Sequence, residues 1–232
     1  MANLMSKYLT FPIEFLDKAF DNIQEVCDNI FDYAIYIHSL KLLDKETDSE
    51  LEAMEKAAVF YDITLGDIQR AFNNGYELYH EYGPKVAKAG IDKSIVFDFY
   101  VNKKTEFEIA VFCAYCATKS ILGVKSSCKT NKALIHARMF GFNKAAALRG
   151  NKTKIQEKYF KRYHFDKIIK ELQFNWGLKM ISNHCRGYYV SYELGLEELA
   201  VISEKAKKKT REALLRQEKE EAVKKAYLLV NQ

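Results

Sequence analysis

Proline is almost missing from this chain: Pro12 and Pro84 are the only two in 232 residues, and glycine occurs ten times. Proline breaks helices by removing an N–H donor and clashing with the preceding turn, and glycine weakens them through its backbone entropy. Their scarcity, with few runs that alternate apolar and polar residues, predicts a mainly α fold. No apolar stretch approaches the ~20 residues that a membrane-spanning helix needs, so no membrane partner is expected. The opening MANLMSKYLTFPIEFL lacks a basic start followed by a continuous apolar run, which argues against a secretory signal. Five cysteines are an odd number, and a reduced, cytoplasmic setting is a simpler expectation than a disulfide framework.

Catalytic constellations are missing as well. The sequence holds no phosphate-cradling glycine loop and no paired-carboxylate motif. His136, His164 and His184 have no neighbouring acid or nucleophile. Cys113-Ala-Tyr-Cys116 is a CxxC, but it lies in an apolar helical run, and Cys128, Cys185 and His184 do not complete a usual zinc spacing. Core thiols are the expectation there. No enzyme activity, metal or cofactor is expected.

What is present is charge, divided by position. Residues 1–110 hold eleven Lys and Arg against twenty Asp and Glu, a net of −9. Residues 124–190 hold fifteen Lys and Arg against three acids, Glu157, Asp166 and Glu171, a net of +12. Twelve unbalanced cations in one short stretch repel one another unless a polyanion meets them. A solvated basic face balanced by the acidic half of the same molecule is the competing account.

Apolar spacing predicts helices at 13–43, with a break near Asp28, at 48–60 after a Ser49 or Asp48 cap, and at 65–82 before Gly83-Pro84. The pair at 48–82 reads as a plain helical hairpin, with a second helix-turn-helix as the alternative. From Thr105 the pattern sharpens. A buried helix at 105–122 stops at Gly123, a minor strand falls within 124–129, and a helix at 131–140 follows a Thr130 or Asn131 cap and stops at Gly141. A further helix at 162–176 carries Phe165, Ile168, Ile169, Leu172 and Trp176 as one apolar stripe. Two strands, 178–182 and 188–192, then flank the turn Asn183-His-Cys-Arg-Gly.

Three segments carry a family resemblance. CKTNKALIHARMFGF resembles the second helix of winged helix-turn-helix DNA-binding domains, RYHFDKIIKELQFNWG their recognition helix, and KMISNHCRGYYVSY their β-hairpin wing. The chain as a whole resembles proteins without an assigned activity from phages and mobile elements of gut bacteria. The connection from Gly141 to Tyr163 is far longer than the family's usual turn, and holds either an inserted basic loop or an extra short helix.

The resemblance implies a partner, double-stranded DNA, and a role as a transcriptional regulator or a replication and maintenance factor. It also implies which residues meet the duplex. Lys161, Arg162, Tyr163, His164 and Lys167 stand at the recognition helix's N-terminal end, nearest base edges, with Lys170 one turn on. Arg162 suits a bidentate guanine contact, and Lys167 and Lys170 suit phosphates. Lys132 and Lys179 flank the same region, His184 and Arg186 occupy the wing tip, and Arg149, Lys152, Lys154 and Lys158 supply the connector.

The expected division is an acidic helical domain at 1–104 for sensing or partner binding, a basic winged helix at 105–192, and a charged helix at 193–232 as a candidate homodimer contact. A non-enzymatic assembly protein, using the same fold to hold protein partners, is the alternative function.

Overall fold

A 21-residue helix, α1 (Ile23–Leu43), forms the spine of the N-terminal half in the computed structural model. The structure describes residues 8–43, 49–62, 64, 68–83, 86–149, 152–182 and 187–230. Val26, Cys27, Ile30, Phe31, Ala34 and Ile35 of α1 are buried, because α2 (Glu50–Tyr61), α3 (Ile68–Tyr82) and α4 (Lys93–Val101) all pack on it. The Ser49 side chain caps α2 by accepting from the Glu52 N–H, and α2 and α3 lie together as a helical hairpin.

Two short strands were not anticipated. The stretch 13–43, expected as helix with a break near Asp28, is a 3-10 turn over Ile13–Lys18 followed by α1, which runs unbroken through Asp28; before it, β1 (Tyr8–Pro12) pairs antiparallel with β2 (Lys88–Asp92). The alternation that marks a strand is there: Leu9, Phe11, Ala89 and Ile91 are fully buried. Pro12 ends β1 and Gly90 interrupts β2, so the pattern is too short to register by period alone. Asp92 then caps α4, a helix equally absent from the sequence expectation, by accepting from the Ser94 N–H at 2.9 Å.

The other half is built around α5 (Glu106–Leu122), opened by a reciprocal capping box between Thr105 and Glu108 and buried almost all round. There follow β3 (Cys128–Thr130), α6 (Lys132–Met139), a 3-10 turn at Ala145–Arg149, α7 (Lys154–Phe160), α8 (Arg162–Phe174), β4 (Lys179–Ser182), β5 (Tyr188–Ser191) and α9 (Leu196–Val230). The three strands form an antiparallel sheet in the order β3-β5-β4. The long connection thus holds a short helix, started by a second capping box, Thr153 with Gln156. The end of α8 falls two residues short of Trp176, because Gly177 at φ +75° reverses the chain and the Leu178 N–H donates to the Leu172 carbonyl at 2.9 Å.

The charge boundary near residue 104 is not a gap in the core. Phe99 stacks on Phe112 at 4.5 Å, Phe20 on Phe140 at 5.3 Å, and one buried apolar cluster runs from Leu9 to Val190. The α9 helix leaves this body after Leu199 and Ser203, and every side chain from Lys208 to Lys224 is exposed.

Candidate nucleic-acid interface

The α8 helix sorts its residues cleanly by face. Phe165, Ile168, Ile169 and Leu172 are buried, while Arg162, Tyr163, Asp166, Lys167 and Lys170 are exposed on the opposite side. No side chain caps its N-terminus, and its first turn carries cations rather than acids. Cations there oppose the helix dipole, so helix stability does not account for them.

Two more lysines come to that end of α8 from other elements. Lys132 opens α6 just after its Asn131 cap and lies over the rings of Phe160 (5.3 Å) and Phe165 (4.9 Å). Lys152, from the connection before α7, stands 4.0 Å above the Phe160 ring. Phe160 therefore acts as a half-exposed platform that gathers two ammonium groups beside Arg162. Burial, and after it the neighbouring Arg162 charge, push the Lys132 ammonium below its ordinary range, with the Asp166 carboxylate working the other way. Asp166 also pairs with the exposed Arg162 at 3.5 Å, and Lys167 lies 4.7 Å from the Tyr163 ring.

Not every expected contact residue joins this group. Lys158 turns to Glu106 at the start of α5 (2.8 Å), where the Tyr159 hydroxyl also donates, and the resulting hydrogen bonds hold the Glu106 carboxyl below its usual range. His164 is half-buried near Tyr159 on the same side. Lys154 and Lys161 are exposed at the two ends of α7, and Lys179 is half-buried on β4 opposite Ser191. His184 and Arg186 at the hairpin tip, and the side chain of Arg149, lie outside the described residues. Lys129, exposed on β3 between half-buried Cys128 and buried Thr130, is a further cation on the sheet that the helix-centred reading passed over. Only its place on a strand edge singles it out. Arg138 is half-buried and donates to Ser120 of α5, so it serves the packing of α6 on α5.

The platform rests on a buried histidine. His136 of α6 is fully buried between Phe140 and Phe160, and its Nε2–H donates to the Gln156 carbonyl of α7 at 2.9 Å. Burial pushes its pKa down to about 4, helped by Lys152 and Lys132. An unfolded chain binds this proton near pH 6.5 and the folded one only near 4. Stability attributable to His136 is therefore complete above about pH 6.5 and falls by roughly 3 kcal/mol as the pH drops toward 4. Urea melts at pH 7.5 and 4.5 should show this loss, and His136→Gln, compared with the parent at each pH, should remove most of it.

Among the described residues, three of the four cysteines are buried in the core. Cys113 and Cys116 are fully buried on α5, and burial pushes both well up, with Cys27 raised to about 12. Among the described residues no group of three or more His, Cys, Asp or Glu side chains could hold a metal ion, and no helix is long and apolar enough to cross a membrane. No protein-family model matches the chain, and neither a curated protein nor a solved structure is significantly similar to it.

Proposed function

We propose that residues 105–192 form a winged helix-turn-helix that binds double-stranded DNA, with α8 as the recognition helix and the β4–β5 hairpin as the wing. The observation that carries this reading is the uncovered cationic face of α8. Arg162, Lys167 and Lys170 are exposed together, and Lys132 and Lys152 are gathered beside them on Phe160. The order α5, β3, α6, α8, β4, β5, with β3 joined to β5, supports it, because a β-hairpin following the last helix is the chain order of a winged helix. An assembly protein using this face for a protein partner has less support, since the face carries cations and few apolar groups apart from Tyr163 and Phe174. In the cell the protein acts in the cytoplasm as a regulator or replication and maintenance factor of a phage or mobile element. Its acidic half meets a protein partner, and the exposed stretch of α9, with Leu214, Leu215 and Val223, pairs with a second copy.

Fluorescence anisotropy with a labelled random duplex across a salt series tests the reading. Binding at low salt should weaken linearly in logarithmic salt, with a slope of roughly −0.9 per phosphate neutralised. Absence of binding at micromolar protein and low salt would sink it. Asp166 provides an internal check. It is the one acid on the exposed face of α8, and it both neutralises Arg162 and repels a phosphate. Asp166→Asn should tighten duplex binding by about three- to tenfold, in line with the modest worth of an exposed pair. Unchanged affinity would place the duplex elsewhere.

A further inference from the structure

The far end of α8, away from Arg162, borders a cleft that no DNA contact uses. Two adjoining hollows of about 490 and 370 Å³ meet there, sharing Asp98 and Phe99 of α4 and Trp176 from the turn after α8. Their volumes fall in the range that small molecules occupy. Tyr115 of α5 lies 4.7 Å from Trp176, and Phe99 is held by its stack on Phe112, so the walls are fixed aromatic faces. The charged side chains lining the two hollows are Asp98, Glu108, Glu171 and Lys104, a net of −2.

Two independent features say what such walls accept. Lys104, only 12% exposed, already lies with its ammonium on the Asp98 carboxylate and 4.9 Å from the Phe99 ring. The chain's own cation thus shows that this acid and this aromatic face take an ammonium together. The second feature is the C-terminal end of α8, which opens beside the same hollows at Asn175 and Trp176. Its last turn carries no base, so α8 itself supplies no cation to the negative end of its dipole.

We propose that this cleft binds a small organic cation, an alkylammonium or diamine. One ammonium lies against Trp176 and Tyr115 within reach of Asp98, and a second lies toward Glu108 and Glu171. The proposal does not depend on the DNA reading, and the experiment reads it separately.

Trp176 is the only tryptophan in the chain, so intrinsic fluorescence reports directly on this wall. Titration with 1,4-diaminobutane at constant ionic strength should give a saturable change in emission, and uncharged 1,4-butanediol should give none. Asp98→Asn and, separately, Glu171→Gln should each raise the apparent Kd by about tenfold, the equivalent of one lost charge contact. Circular dichroism melts identify a variant that has failed to fold, and the Glu171 variant, whose acid is not bonded to Lys104, then carries the test. An equal response to the diol, no saturable response to the diamine, or diamine binding unaffected in the folded variants would overturn the proposal.

Discussion

Replacing Lys167 and Lys170 together with alanine should weaken random-duplex binding by roughly 50-fold at 0.1 M salt and flatten the logarithmic salt slope by about two. Both residues are exposed on α8, and the contact of Lys167 is the Tyr163 ring beside it. Neither holds the helix in place, and alanine is the better helix former, so the fold should survive intact. Each lysine lost is one counterion fewer released, which sets both numbers at once. The slope is the stricter reading, because a variant that merely folded poorly would lose active protein without changing it. Arg162→Ala is expected to behave differently: on a preferred site it should cost about 1–3 kcal/mol and relax sequence preference, while leaving the random-duplex slope nearly unchanged. If the double variant keeps the parent's slope, α8 is not the phosphate-contacting helix.

How far such a surface can be read in advance depends on the range of the signal. Helices α5, α6 and α8 were legible from their boundary signals and apolar spacing: Thr105 with Glu108 opens α5, Asn131 precedes α6, and Gly123, Gly141 and Gly177 follow the three, whereas the connection that holds α7 stayed open between a loop and a short helix. The apolar stripe of α8 placed its cations on one face without any knowledge of neighbours. The β1–β2 pair was not legible, since five-residue strands gain their meaning from pairing across the 75 residues that separate them. Helix α4 escaped for a related reason. It buries Val96 and Phe99 but leaves Phe97 and Val101 exposed, so no clean stripe marks it. At the site, residue type identified the cations but not their neighbours. Nothing in the sequence announces that Phe160 gathers Lys132 and Lys152, or that Glu106, some 50 positions earlier, takes Lys158 out of the group.

In the acidic half, Gly75 of α3 is a position where one added methyl group should be costly. Glycine in the middle of a helix is normally a weakness, and alanine there normally gains about 1 kcal/mol. Here α3 crosses α1 so closely that a Cβ on residue 75 would stand 2.6 Å from Tyr36 Cβ and 2.7 Å from the Asp32 carbonyl oxygen. Neither neighbour can swing aside, because one is backbone and the other is bonded to it. The helices must part, and that strains the bond from Asn74 to the Asp32 carboxylate (2.8 Å), a group that is 3% exposed. Overpacking alone costs about 1–3 kcal/mol, and a buried acid left without its donor adds to that. Gly75→Ala should therefore destabilise by about 3 kcal/mol net, a fall in Tm on the order of 10 °C for a chain of this size. Gly83→Ala provides the contrast: unlike helical Gly75 it sits at positive φ (+64°), but nothing lies within 4 Å of its Cβ, so only the local backbone strain of about 1 kcal/mol applies. Because the core is continuous through Phe99 and Phe112, the lesion should not stay local. Trp176, in the basic half, should report the same midpoint shift in urea as far-ultraviolet circular dichroism does. A Trp176 transition left at the parent midpoint would mean that the two halves unfold independently.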